Sequence, residues 1–156
     1  MKEIKKILLL VLFIFVVTTI QGQVHSFEVF SVSIGDVETR YENGEFKKYT
    51  SWSDDYDTQY KGVIDFDKEK ISLNNEGDVV YYLDISSQEM FSDQKINGEQ
   101  TYIIKYDAID NENVRCRVTI VVYEKLDLMQ LYGKYSDISI CYDCVLSGKL
   151  NETSDL

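Results

Sequence analysis

The sequence predicts an all-β domain built as an antiparallel meander of eight to nine strands, and three observations carry that prediction. Twelve tyrosines and many β-branched residues suit a pleated, half-buried surface better than a helix. No proline occurs anywhere, so no segment is barred from a sheet interior on that account. Apolar residues also recur at period two in one segment after another, as a strand with one buried face requires. The cleanest case sets Val114, Cys116, Val118, Ile120 and Val122 against Arg115, Arg117 and Thr119.

Residues 1–22 stand apart from this pattern. Lys2, Lys5 and Lys6 precede an unbroken apolar run from Ile7 to Val17, and Gly22 is the small residue before Gln23. That is the layout of a secretory signal peptide cut near Gly22-Gln23. The run is short for a membrane span of roughly 20 residues, although retention as an anchor is the alternative. The expected mature unit is a single all-β domain over residues 23–156, exported to a periplasmic or extracellular location, with no stable membrane span after cleavage.

Taken in order, the first strand runs from His25 to Glu42, and Gly35 is expected to mark a bulge or bend within it. Asn43-Gly44 predicts a two-residue hairpin turn, because both positions accept positive φ, and it would set Tyr41 opposite Phe46. Residues 51–58 read as an acidic loop with Trp52 tucked against the core. Tyr60, Gly62, Ile64 and Phe66 share one face of the next strand, and Ile71 and Leu73 return beside it. A turn at Gly77 leads to an inner face of Val79, Tyr81, Leu83 and Ile85. Residues 86–95 are the least patterned and leave room for a short helical turn. Asn97-Gly98 then opens a strand whose inner face is Tyr102, Ile104, Tyr106 and Ala108. After an acidic turn at residues 110–113 comes the Cys116 strand.

Leu128, Leu131, Tyr132 and Tyr135 fit a helical face as well as a strand. A strand is preferred, because an isolated helix of this length is marginal and both flanking segments alternate. Ile138, Ile140, Tyr142 and Cys144 complete the series, and a polar tail follows Gly148. Short turns between sequential strands favour closure into a small barrel of lipocalin-like shape, which removes exposed edges. An open sheet or a β-sandwich is the alternative.

The formal charge is −11, and loss of Lys2, Lys5, Lys6 and Glu3 with the leader makes it −13. Such acidity argues against nucleic acid as a partner and suits a basic protein. All three cysteines, Cys116, Cys141 and Cys144, fall in residues 113–144, as a disulfide with one leftover thiol or as free thiols. Cys141 and Cys144 form a C-x-x-C, but the helix start that activates such a pair is not predicted behind it. In a continuous strand the two side chains would point to opposite faces, leaving Cys141 as the exposed thiol. Zinc held by these cysteines and His25 would rest on a single paired knuckle, so no metal or cofactor is expected.

His25 is the only histidine and sits in a segment expected to be mobile, which weakens any histidine-based nucleophile chemistry. Acidic groups at Asp54/Asp55/Asp57, Asp65/Asp67/Glu69 and Asp107/Asp110/Glu112 lie at predicted turns, where such residues bond their own backbone. Phe66, Tyr81, Tyr102, Tyr106 and Tyr142 occupy inner positions. They either line a cavity for a small apolar ligand or fill the interior of a narrow barrel, and filling is preferred.

The acidic turn Asp110-Asn111-Glu112-Asn113, the strand Arg115-Cys116-Arg117-Val118 and the later Gln130-Leu131-Tyr132 resemble small, uncharacterised secreted bacterial all-β proteins over residues 103–144. The chain departs from that pattern at Ala108, where those proteins carry a cysteine, and at Asn113, where they carry a glycine. A hairpin disulfide in such relatives would be missing here. The resemblance implies an all-β secreted domain and no activity. The expected function is a non-enzymatic binding or structural role, with two alternatives. One is an apolar small-ligand carrier; the other is an inhibitor or immunity protein for a basic extracellular enzyme.

Overall fold

Two Asn-Gly pairs set the ends of the longest hairpins. In the computed structural model, which describes residues 24–74, 79–124 and 128–146, Asn43 and Gly44 take φ of 53° and 85°, and Asn97 and Gly98 take 51° and 82°. These left-handed values are the ones a two-residue turn between twisted strands demands. Tyr41 does lie opposite Phe46, with ring centroids 4.9 Å apart. The leader and its cut site, the turn at Gly77 and the tail after Gly148 lie outside the described residues.

Nine strands occur among the described residues: β1 (Val24–Glu42), β2 (Glu45–Trp52), β3 (Tyr56–Asp65), β4 (Lys70–Asn74), β5 (Val79–Ile96), β6 (Glu99–Asp110), β7 (Arg115–Tyr123), β8 (Leu128–Lys134) and β9 (Ile138–Leu146). All pair antiparallel in one sheet. From β3 onward each strand pairs with the next, β1 pairs with β3, and β9 pairs back on β1, so the sheet closes in a ring. β2 pairs only with β1 among the described residues.

The registers show how steeply the strands tilt. From Val24 the pairings lead through Asp65, Lys70, Tyr82 and Ile109 to Arg115. From Gly35, at the far end of β1, the opposite circuit leads through Ser139 and Lys134 to Arg117. The two circuits reach β7 side by side, so a full turn climbs far along β1, the stagger that closure of a sheet requires.

Local details depart from the expectations at four points. The irregularity in β1 lies between Val29 and Ser31, not at Gly35. Gly35 instead makes room for β2: a Cβ there would stand 2.5 Å from Thr50 Cγ2 and 2.9 Å from the Trp52 ring. The expected loop at residues 51–58 shrinks to three residues between β2 and β3. Trp52 lies on the outside, against Tyr132 at 6.0 Å between ring centroids, because its parity in β2 faces outward rather than into the core. Residues 86–95 continue β5 rather than forming a helical turn. Ser87 replaces a ladder bond there, its Oγ accepting the Asp107 N–H at 2.8 Å and donating to the Asp84 carbonyl at 2.7 Å. His25 is not in a mobile lead-in: it pairs with Ile64 on β3.

Candidate functional site

The interior comes first, because period-two spacing aims five aromatic residues at it. Tyr81, Tyr106 and Tyr142 are buried inside the ring. Tyr81 reaches across from β5, with its hydroxyl 3.5 Å from that of Tyr142. The reach is possible because β8 carries Gly133, where a Cβ would lie 2.5 Å from the Tyr81 oxygen. Burial raises the pKa of both tyrosines far above the phenol range and that of Tyr106 to about 12. Phe66 and Tyr102 sit toward the ring ends and are only partly buried. Phe66 caps one end, 6.4 Å from the Tyr106 ring and 6.5 Å from the His25 ring. Phe27, Val29, Ile71, Leu73, Met129, Leu131 and Val118 occupy the rest of the core, each at most 1% exposed. Aromatic and aliphatic side chains thus pack on one another at the positions where a carrier would hold its ligand.

The cysteines do not come together. All three are free thiols. Cys116 and Cys144 share the inner parity, but Cys116 is level with Tyr135 whereas Cys144 pairs with Met129. Six residues of strand separate those levels, roughly 20 Å, well beyond disulfide reach. Cys141 faces outward, as its parity dictates, yet it is not an exposed thiol: it is 5% exposed. Its register partners Ser33 on β1 and Tyr132 on β8 flank it, and Trp52 packs on Tyr132 beside it. Burial pushes both Cys116 and Cys141 up to about 11, and Cys144 higher still. No group of three or more metal-binding side chains assembles among the described residues.

The acidic turns bond themselves. Asp65 accepts the Lys68 N–H at 3.0 Å, which, with the Lys68 ammonium at 3.3 Å, holds its carboxyl below the usual carboxylate range. Asp110 accepts the N–H groups of Glu112 and Val114, both at 2.9 Å, and the Tyr135 hydroxyl at 3.0 Å.

What remains open is on the outside. The ends of β1 and β2 leave the ring as a two-stranded arm, and β2 is exposed over its whole length. The arm displays Tyr41 at 65% and Phe46 at 77% exposure, with Tyr49 and Trp52 also exposed. Glu42 accepts the Tyr49 hydroxyl at 2.7 Å, and Arg40 lies 5.1 Å from the Tyr49 ring centre. Between arm and ring runs a cleft of about 720 Å³, lined by Lys48 of the arm and by Tyr82, Ile109, Arg115, Arg117 and Lys134 of the ring. Sequence reasoning used Arg115 and Arg117 as the polar half of an alternation and within a resembling strand, not as members of a site. Their outward parity was the available signal, but the registers that set Lys134 beside them were not legible. No protein-family model, no curated protein and no solved structure matches this chain.

Proposed function

We propose that the chain is an exported, acidic, non-enzymatic binding domain that meets a basic protein partner through the β1–β2 arm. One observation carries this reading: the arm, whose β2 is exposed throughout and unpaired along one edge among the described residues, presents four aromatic side chains, Tyr41 of β1 and Phe46, Tyr49 and Trp52 of β2. Single exposed apolar residues are ordinary, whereas rings exposed side by side, as the directly paired Tyr41 and Phe46 are, mark an interaction surface, and aromatic residues dominate the energetics of such surfaces. A free strand edge also offers main-chain bonds to an incoming strand. The second face of the arm carries Asp36, Glu38, Glu42 and Glu45 against Arg40 and Lys47, which favours a basic partner. The packed interior and the buried, protonated thiols support recognition over ligand carriage or thiol chemistry. Export rests on the leader-like residues 1–22.

The test places a photo-crosslinking residue at Phe46, with Lys61 on the ring as the comparison site, in cells that export the protein. A discrete adduct formed from Phe46 alone is expected. It should weaken as salt rises and vanish in the Tyr41→Ala/Phe46→Ala variant without a change in thermal unfolding. The same adducts from both positions would sink the arm as the docking element.

A further inference from the structure

We infer that the cleft between the arm and the outer face of β6–β8 binds a small organic phosphate or sulfate ester, its anionic group on β7–β8 and its apolar body over Tyr82 and Ile109. Alternation along β7 sends Arg115, Arg117 and Thr119 outward while Cys116, Val118 and Ile120 turn in. Register then fixes their neighbours. Arg117 lies between Asp107 and Lys134, and Thr119 lies between Lys105 and Tyr132. Directly paired residues stand roughly 4.5–5.5 Å apart at Cβ and diagonal ones about 7–8 Å. Lys105, Arg117 and Lys134 therefore crowd together on one face.

Arg117 is ion-paired to two carboxylates, Glu89 and Asp107, but the two lysines beside it are not paired among the described residues. Arg117 gives a terminal nitrogen to Glu89 at 2.6 Å, but its Nε is 3.6 Å from Asp107, too far for a hydrogen bond. That Nε and the neighbouring Thr119 Oγ1 are both buried without a hydrogen-bond partner, an arrangement native proteins seldom leave. The ammonium of Lys134 lies 5.3 Å from the Tyr132 ring centre and that of Lys105 lies 4.8 Å from Phe91, and among the described residues neither forms an ion pair with a carboxylate. Burial, then repulsion from Lys105 and Arg117, lowers the Lys134 pKa. Arg115 and Lys48 have no ion pair among the described residues. In a chain with 27 acidic and 16 basic residues, cations pressed together this way are the exception.

A phosphate or sulfate group seated between Lys134 and Arg117, which both line the cleft, would accept from both and relieve the repulsion. Asp84 and Asp107, which also line the cleft, confine an anion to the β7–β8 side. Tyr82 and Ile109 pair with each other and stand 53% and 41% exposed, next to Arg115 in register. They offer an apolar floor beside the charged group, and the cleft volume falls in the range of small-molecule sites. This site involves neither the arm tip nor its charged face, so it stands independently of the docking proposal.

Calorimetry on the full chain at fixed ionic strength tests it with phenyl phosphate, phenyl sulfate, inorganic phosphate, inorganic sulfate and phenol. Saturable one-site binding of the phenyl esters is expected, about tenfold or more tighter than the inorganic ions, with none for phenol. Lys134→Gln should weaken the esters by about tenfold, Tyr82→Ala should erase their advantage over the inorganic ions, and Lys61→Gln should change nothing. Esters held no better than chloride, or equally well by Lys134→Gln, overturn the site; inorganic ions held as tightly as the esters overturn its organic part. Should a variant fail to fold, reductive methylation of the unmodified protein decides. Phenyl phosphate must shield Lys134 and leave Lys61 reactive, and equal labelling of both overturns the proposal.

Discussion

Replacing Gly62 with alanine tests the packing of the ring at its tightest point. Phe27 pairs with Gly62 across β1 and β3 and is 1% exposed, its ring lying flat where a side chain would otherwise project. A Cβ on Gly62 would stand 2.1, 2.2 and 2.7 Å from three atoms of that ring. These distances are far inside van der Waals contact, and the obstacle is a rigid ring rather than the loose end of a chain. Overpacking of this kind costs typically about 1–3 kcal/mol, and pushing Phe27 partly out adds a share of the roughly 3–5 kcal/mol that its deletion would cost. Against this, the alanine restricts the unfolded chain and returns about 0.4–1 kcal/mol. The net expectation is a loss of about 2–4 kcal/mol, seen as a urea midpoint lower by about 1–2 M at unchanged slope. The double-mutant cycle is the sharper measurement. Once Phe27→Ala removes the ring, Gly62→Ala should add no further loss, because nothing is left to strike. A neutral Gly62→Ala, or strictly additive costs, would refute the reasoning.

Other outcomes follow from the same geometry. With its thiol pushed up to about 11, Cys141 should react with iodoacetamide at pH 8 about 100-fold more slowly than an unperturbed thiol, since thiolate is the reactive form, and Trp52→Ala should speed that labelling. The same shift predicts alkaline instability. Because burial raises the folded pKa above the unfolded 9.0, the contribution is complete below about pH 9 and lost as pH climbs through 11. It amounts to about 2–3 kcal/mol, so Cys141→Ala should flatten the decline in the urea midpoint over that window. Asp65 works in the opposite sense. Its lowered carboxyl, held first by the Lys68 N–H, contributes stability above the unfolded carboxylate value that disappears as pH falls through the folded one. Asp65→Asn should therefore lower the urea midpoint at neutral pH and leave a shallower limb as the solution is acidified.

Most strands were legible because their information is local. Alternation fixed the inner faces of β6 and β7, and the Asn-Gly pairs fixed two turns with their cross-strand partners. The ambiguous Leu128 segment resolved as β8, since both flanking strands needed a neighbour. What failed depended on contacts distant in sequence. Gly35 looks like a bulge from its own neighbourhood, but its lack of a side chain serves Trp52 from another strand. Cys141 has outward parity, yet whether an outward residue meets water depends on Tyr132 and on the path of the arm. The cleft is illegible for the same reason: Lys48, Arg117 and Lys134 are scattered in sequence and meet only after three registers are set. Residues 86–95 misled because the Ser87 hydroxyl stands in for a ladder bond, a substitution that leaves no period.

Closure of the ring by β1 against β9 has a consequence for how the chain reaches this state. β1 is the first described strand and β9 the last, and nine registered pairs join them. A contact of that sequence separation carries a large loop-closure cost before it returns any burial. Until the final strand is present, the Phe27–Asp36 edge of β1 stays open and the core residues Val29 and Val32 lack the neighbours Cys144 and Tyr142. Folding should therefore be slow and all-or-none, completed only when the last strand arrives. A nascent chain truncated before Ile138 should remain protease-sensitive, unfolded along its length rather than folded in part.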